Sequence, residues 1–343
     1  MKLLIIADGS KKIGYGHLVR SITIAKYLEK KGWDCSILTP NLNVFNLDFI
    51  EIKTFKVISR EALKVIKGEK NKNKIFDLTI IDGYNFHSNF KISFYNISRK
   101  IMIIDDLAIN KSKCDILLDH SPGRNISEYK KLVPKNCCIL TGSKYIALRN
   151  NLLASNKLLN YKRKRKKIVL ISLGSTDPDN TTFRALKFLF FLNLKIKIIV
   201  IMTKSSTNLI EINQLLKINK NKFEMFLNPT VKRLKQIYTQ SDICIGSPGV
   251  GIWERIYFGI PNIILNPNKV QKHLSDFLKE KNIVKELKLN TNNFSLKAKL
   301  KFKNVLYNDF VHSRMILKGN SIVDGKGLYR IYEAIEKVCQ YDR

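Results

Sequence analysis

The sequence predicts an α/β protein of two domains, each a parallel sheet covered by helices on both faces. Three observations carry this. Short apolar runs alternate with amphipathic stretches, the pattern of strands joined by helical crossovers. The alternation comes as two series separated by a basic break. The length, 343 residues, suits two domains of roughly 100–200 residues each.

In the first series, Leu3–Ala7 reads as a strand, and His17–Lys31 as a helix with Leu18, Ile22, Ala25 and Leu28 on one face. Strand-like runs recur at Cys35–Leu38, Leu78–Ile81, Ile101–Ile104, Ile116–Leu118 and Cys138–Leu140. The break, Asn156–Lys167, holds Lys157, Lys162, Arg163, Lys164, Arg165, Lys166 and Lys167 with little to bury, and reads as a solvated linker. The second series has strands at Ile168–Ser172, Ile196–Met202, Ile243–Ile245 and Asn262–Leu265. Its helical patterns are Thr181–Phe191, Leu209–Leu216, Lys232–Thr239 and Gly251–Phe258. A last helix, Gly327–Val338, follows the turn-like Asp324–Gly327. The expected domains are residues 1–155 and 167–322 around a linker at 156–166, with 323–343 packing back on the first domain. Open sheets of this kind bind ligands beyond the carboxyl ends of their strands, so the expected site is a cleft between the two sheets.

Composition narrows the function classes. The chain is 45% hydrophobic, too rich for disorder, and no window is apolar enough for a membrane span. Met1-Lys2 runs directly into a strand, so no signal peptide is expected. The formal charge is +33, but 48 of the 61 basic residues are Lys and only 13 are Arg. The Lys are spread along the whole chain, whereas nucleic-acid readers concentrate basic residues, with Arg prominent. A compositional bias explains the charge better than a nucleic-acid partner. The six cysteines show no CxxC spacing and no cluster with His at metal-ligand spacing. A reducing cytoplasm, no disulfide framework and no metal are the corresponding expectations.

Two loops carry the chemistry. After the first strand comes Gly14-Tyr15-Gly16-His17-Leu18-Val19-Arg20. The third glycine of a dinucleotide fingerprint is absent, Val19 standing in its place, so no nicotinamide cofactor is expected. The loop delivers His17 to a helix N-terminus, whose dipole disfavours an imidazolium; a neutral imidazole in a cleft suits a general base. The alternative is a histidine bonded to a backbone carbonyl. Glycines on both sides, which allow a ligand to approach closely, favour the first. The second loop, Gly246-Ser247-Pro248-Gly249-Val250-Gly251, follows a strand and opens a helix. It suits a phosphate or diphosphate. Glu254, about a turn further on, is placed to accept both hydroxyls of a ribose. The alternative is a plain turn with a salt-bridged surface Glu. No Walker lysine follows, so the loop is no P-loop. Asp177-Pro178-Asp179 matches a DxD metal pattern, but Pro178 and the following Asn180-Thr181 read better as a turn and helix cap. Asp105-Asp106 sits at a strand end, where it would line the cleft. His87, His120, His273 and His312 are scattered and receive no role.

The Gly14–Arg20 run resembles the GxGHxxR loop of the UDP-sugar hydrolases of pseudaminic acid biosynthesis, which act on UDP-2,4-diacetamido-2,4,6-trideoxy-β-L-altropyranose. Further blocks agree in order: Asp82-Gly83-Tyr84, Ile104–Leu107, Cys114–Asp119, Tyr145–Arg149, Gly174–Asp177, Trp253-Glu254-Arg255 with Gly259-Ile260-Pro261, and Asp324–Gly327. The resemblance implies the GT-B fold of the MurG-like group, two Rossmann-like domains with parallel sheets facing a central cleft. It implies a cytoplasmic hydrolase that releases UDP and a free sugar by attack of water at the anomeric carbon, with inversion and no cofactor. His17 falls where the family has its general base. Gly14, Tyr15, Gly16, Arg20, Tyr84, Arg149, Asn268 and Gln271 fall on the substrate side. Gly246, Ser247, Gly249, Gly251 and Glu254 fall on the nucleotide side. The chain departs from the family at Ile6, often Arg; at Ser175, Gly in the family; and at Val270, where an Asn is missing that Asn268 would replace. The competing expectations are a GT-B glycosyltransferase with a UDP-sugar donor and a non-enzymatic polyanion-binding protein. Stable membrane insertion is not expected. Oligomeric state is left open, a monomer sufficing for the scheme.

Overall fold

The structure, a computed structural model, describes residues 1–9, 15–38, 56–57, 74–84, 86, 88–153, 166–219, 223–265, 269–289 and 294–340. The chain divides into two compact units: unit 1 comprises Met1–Asn150 with Gly325–Arg343, and unit 2 comprises Asn151–Asp324. The expected linker lies almost entirely outside the described residues.

Unit 1 holds strands β1 (Lys2–Ala7), β2 (Asp34–Leu38), β3 (Lys56–Val57), β4 (Phe76–Asp82), β5 (Ser98–Ile104), β6 (Ile116–Asp119) and β7 (Cys138–Thr141). They form one sheet in the order β3-β2-β1-β4-β5-β6-β7, and every pairing is parallel. Successive residues of β1 enter different cores. Leu3, Ile5 and Ala7 join a cluster with Leu18, Ile22 and Leu28, while Leu4 and Ile6 pack with Phe94, Ile103 and Leu117. This is why the strand reads as a continuous apolar run: both faces of a parallel sheet are covered. Helix α1 (Gly16–Glu29) supplies the first cover, and shorter helices α2 (Ser88–Ile92) and α3 (Ile126–Tyr129) follow.

Helix α4 (Asn150–Leu153) ends unit 1 and begins unit 2. Unit 2 has β8 (Lys167–Ser172), β9 (Ile196–Met202), β10 (Phe223–Leu227), β11 (Ile243–Gly246), β12 (Asn262–Leu265) and β13 (Val284–Leu287). Their order is β10-β9-β8-β11-β12-β13, again all parallel. Helices α5 (Thr181–Leu192), α6 (Leu209–Ile218), α7 (Val231–Gln240), α8 (Gly251–Tyr257), α9 (Lys269–Glu280), α10 (Leu296–Tyr307) and α11 (Asp309–Asn320) accompany them. The last helix, α12 (Gly327–Gln340), belongs to unit 1, where Leu328, Ile331 and Ile335 complete the core beside α1.

Both sheets share the doubly wound order, with the chain reversing direction across the sheet between β1 and β4 and between β8 and β11. Ligands of such sheets bind beyond the carboxyl ends of the strands at that reversal. The expected two-domain α/β class is what the chain adopts. The six cysteines are free thiols, with Cys114 Sγ 3.6 Å from Cys137 Sγ. Asp177 is the residue that caps α5: its carboxylate accepts the N–H groups of Thr181 and Thr182, each at 2.9 Å, which corrects the expectation that Asn180-Thr181 forms the cap.

Candidate active site

At the β1/β4 reversal of unit 1, the two loops are tied together directly. Asp8 N donates to Asp82 O at 2.9 Å. A Cβ on Gly83 would stand 2.8 Å from Asp8 Cβ and 2.7 Å from Phe86, so the close approach requires glycine there. Asp82 ends β4 and is fully buried.

Four donors converge on the Asp82 carboxylate. Oδ1 takes His17 Nδ1 at 2.7 Å and Arg20 Nη2 at 2.6 Å, and Oδ2 takes Arg20 Nε at 2.7 Å and Ser21 Oγ at 2.9 Å. His17, Arg20 and Ser21 all come from the first two turns of α1. Burial works against the charged carboxylate, but Arg20 and His17 overcome it and hold Asp82 well below the usual carboxylate range. Arg20 Nη2 also lies 2.9 Å from His17 Nδ1. A guanidinium can only donate, and an ionised Asp82 can only accept. Nδ1 therefore carries its proton toward Asp82, and the contact with Arg20 is simple proximity. In the neutral ring, that arrangement leaves the Nε2 lone pair free.

Arg20 reaches further. Its Nη1 donates to Asp106 Oδ2 at 3.0 Å, beyond the end of β5. Burial opposes the Arg20 charge, and Asp82 and Asp106 more than restore it. Arg124 holds the same segment from the other side, with Nη2 on Asp106 O at 2.9 Å and Nε on Asp119 Oδ2 at 2.7 Å. Tyr84 stands edge-on to the His17 ring, centroids 4.6 Å apart, with its hydroxyl bonded to Asp106. Burial, then Asp106, raises the Tyr84 phenol above its ordinary value. The ring is 42% exposed and is the accessible member of the cluster.

His120, which no sequence motif marks, follows β6 and feels Arg20, Asp106, Asp82 and His17. Burial, then the Arg20 charge, pushes its imidazole down to about 4. The available signal was position: like Asp8, Asp82 and Asp106, it stands at the carboxyl end of a strand in one parallel sheet.

The structure thus brings His17, Arg20 and Tyr84 together. Two residues expected on the substrate side also make contacts within unit 1. Arg20 spends Nε, Nη1 and Nη2 on two carboxylates, because a buried charge needs such partners. Tyr15 packs into the unit 1 core beside Leu18, with Gly9 leaving room for its ring. Gly16 opens α1, and Arg149 is half-buried at the end of unit 1. Gly14 and Asn268 lie outside the described residues, and Gln271 is half-buried in the first turn of α9.

At the β8/β11 reversal of unit 2, the loop after β11 is built around Arg255. This guanidinium is buried, with Nε donating to Asn262 Oδ1 at 2.6 Å and Nη2 to Ser247 O at 2.7 Å. A Cβ on Gly246 would stand 2.7 Å from Arg255 Nη2 and 3.1 Å from Ser172 O. Glycine is therefore required at 246 by the arginine packed against it. A Cβ on Gly249 would meet nothing nearer than Ser247 Oγ at 4.0 Å, and Gly174, with φ +99°, approaches that same hydroxyl from β8. Glu254 is buried rather than a surface residue and accepts from Tyr238 Oη at 3.3 Å. Among the described residues, no three His, Cys, Asp or Glu side chains are grouped to hold a metal ion.

No protein-family model matches the chain. The chain is 31% identical over 226 residues to the UDP-2,4-diacetamido-2,4,6-trideoxy-beta-L-altropyranose hydrolase of Campylobacter jejuni, covering 64% of this chain and 76% of that protein. It is 28% identical over 289 residues to an uncharacterized protein of Methanocaldococcus jannaschii, covering 82% of this chain and only 59% of that longer protein. In fold it is similar to MurG of Acinetobacter baumannii, with a TM-score of 0.65 at 13% identity over 98% of this chain and 99% of that one. The fold is GT-B.

Proposed function

The chain belongs to the family of the Campylobacter hydrolase, and from that membership we propose that it hydrolyses a UDP-activated 2,4-diacetamido-2,4,6-trideoxyhexose to UDP and the free sugar. The observation that carries the reading is the His17 ring, oriented through Nδ1 by a buried, ionised Asp82. His17 Nε2 accepts a proton from water. The water oxygen bonds to the anomeric carbon while the bond from that carbon to the diphosphate oxygen breaks, and UDP leaves with the electron pair. A single displacement inverts the anomeric centre. The loop Gly246–Gly251 receives the diphosphate, and Glu254 the ribose. The free amino sugar is then a precursor for nonulosonic (pseudaminic) acid biosynthesis.

The test is release of UDP from a panel of UDP-sugars without any acceptor, in ¹⁸O water, followed by phosphorus NMR. Label in the sugar supports attack at carbon; label in the phosphate overturns it. Turnover that requires an acceptor alcohol identifies a glycosyltransferase instead. His17→Ala is expected to lower kcat by ~10²–10⁴-fold with UDP binding retained.

A further inference from the structure

Helices α10 and α11 each present an apolar stripe to solvent. In α10, Ala298, Phe302, Val305 and Leu306 are buried in the unit 2 core. The opposite face carries Leu296, Leu300 and Tyr307, spaced by one and two turns, all exposed and Leu296 69% so. In α11, Met315, Ile316 and Gly319 are buried, while Phe310 is 73% and Leu317 67% exposed. Both stripes are bordered by cations. Lys299 and Lys303 flank the α10 stripe on one side and Lys297 on the other; Arg314 and Lys318 flank the stripe on α11. Between residues 296 and 320 there are six cations and one carboxylate, Asp309.

An apolar ridge bordered by cations, on helices whose other faces are anchored in a core, is the arrangement of an interfacial helix. The ridge enters the acyl boundary while the Lys stems reach out to anionic headgroups. We propose that α10 and α11 form a docking surface for an anionic phospholipid bilayer, holding unit 2 on the membrane reversibly. A second copy of this chain is disfavoured as the occupant, because it would set two strongly cationic faces against each other. Among the described residues no helix is long and apolar enough to cross a membrane, so the association is peripheral. It concerns a surface separate from the residues proposed to bind and hydrolyse the nucleotide sugar.

The test is co-sedimentation of the full chain with vesicles of phosphatidylcholine, alone or mixed with phosphatidylglycerol, at physiological ionic strength. The expected result is partition onto the mixed vesicles only. Replacing Leu300, Phe310 and Leu317 by Ser leaves the net charge unchanged and is expected to weaken that partition by about tenfold or more. Ile210→Ser with Ile218→Ser, which removes exposed apolar residues on α6, is expected to leave it intact. Equal binding by the triple variant would mean that charge alone attracts the protein, and would overturn the proposal. So would the absence of wild-type binding, equal loss in the α6 control, or a wild-type dimer that the triple variant abolishes. As a reading independent of the triple variant's folding, Phe310→Trp is expected to shift its fluorescence to the blue on mixed vesicles. An unshifted spectrum counts against the proposal.

Discussion

His17 Nδ1 and Asp82 Oδ1 lie 2.7 Å apart although 65 positions separate them in the chain. The pair joins the start of a helix to the end of a strand, and it decides which imidazole nitrogen is free to accept a proton. Asp82→Asn can offer its amide N–H to Nδ1 and so favour the other tautomer. We expect kcat for UDP release to fall by ~10²–10⁴-fold with KM nearly unchanged. In a His17→Ala background the same replacement should cost almost nothing further, since the two act as a unit. Additive losses in the double variant would separate Asp82 from His17.

Arg20 is expected to matter for folding more than for substrate affinity. Arg20→Met would leave the buried Asp82 and the half-buried Asp106 without their guanidinium partner. Breaking a buried pair from one side costs about 3–5 kcal/mol, readable in urea unfolding. Arg20→Lys keeps the charge but loses the fork, and should recover only part of that loss.

The His120 imidazole, held down to about 4, gives a pH signature. The unfolded chain binds this proton below about pH 6.5, whereas the folded protein does not until about pH 4. Between those values the unfolded state binds more protons, so stability falls on acidification. His120→Asn should flatten the slope of melting temperature against pH across this window. An unchanged slope would show that His120 is protonated in the folded state.

Gly246→Ala sets a methyl group against the Arg255 guanidinium and the Ser172 carbonyl. The expected cost is about 1–3 kcal/mol of stability. UDP affinity, read by calorimetry, should fall with it, because Arg255 also holds the Ser247 carbonyl. Arg255→Met should lose UDP affinity without the steric clash.

Among the described glycines, Gly327→Ala is the most severe single methyl addition. Its Cβ would stand 2.0 Å from Ile146 O, a backbone atom that cannot swing aside. Hydrogen exchange should report α12 released from unit 1, with protection in unit 2 unaffected.

The central strands were legible because burial on both faces leaves an unbroken apolar run, as in Leu3–Ala7 and Val169–Ile171. Among the edge strands, β7 was read from Cys138–Leu140, but two in unit 2 were not. β10 and β13 stand at the edges of their sheet and carry Glu224, Lys285 and Glu286, so nothing in their sequence distinguishes them from loop. Helices α10 and α11 escaped notice because Leu296, Leu300, Phe310 and Leu317 face outward and blur the 3.6-residue period. In the site, His17 was visible from its glycines and its place in the chain. Asp82 stands out only within the Asp82-Gly83-Tyr84 block, since no local pattern ties it to a helix 65 residues away. His120 needed the sheet order before its strand end acquired meaning.

Unit 1 is interrupted in sequence by the whole of unit 2 and regains its last core residues, Leu328, Ile331 and Ile335, only in α12. On the ribosome, residues are delivered in chain order, and domains fold as they emerge. All of unit 2 is therefore synthesised before unit 1 can close its core, and α1 waits with an apolar flank uncovered. The nascent chain must finish its second sheet before its first is sealed.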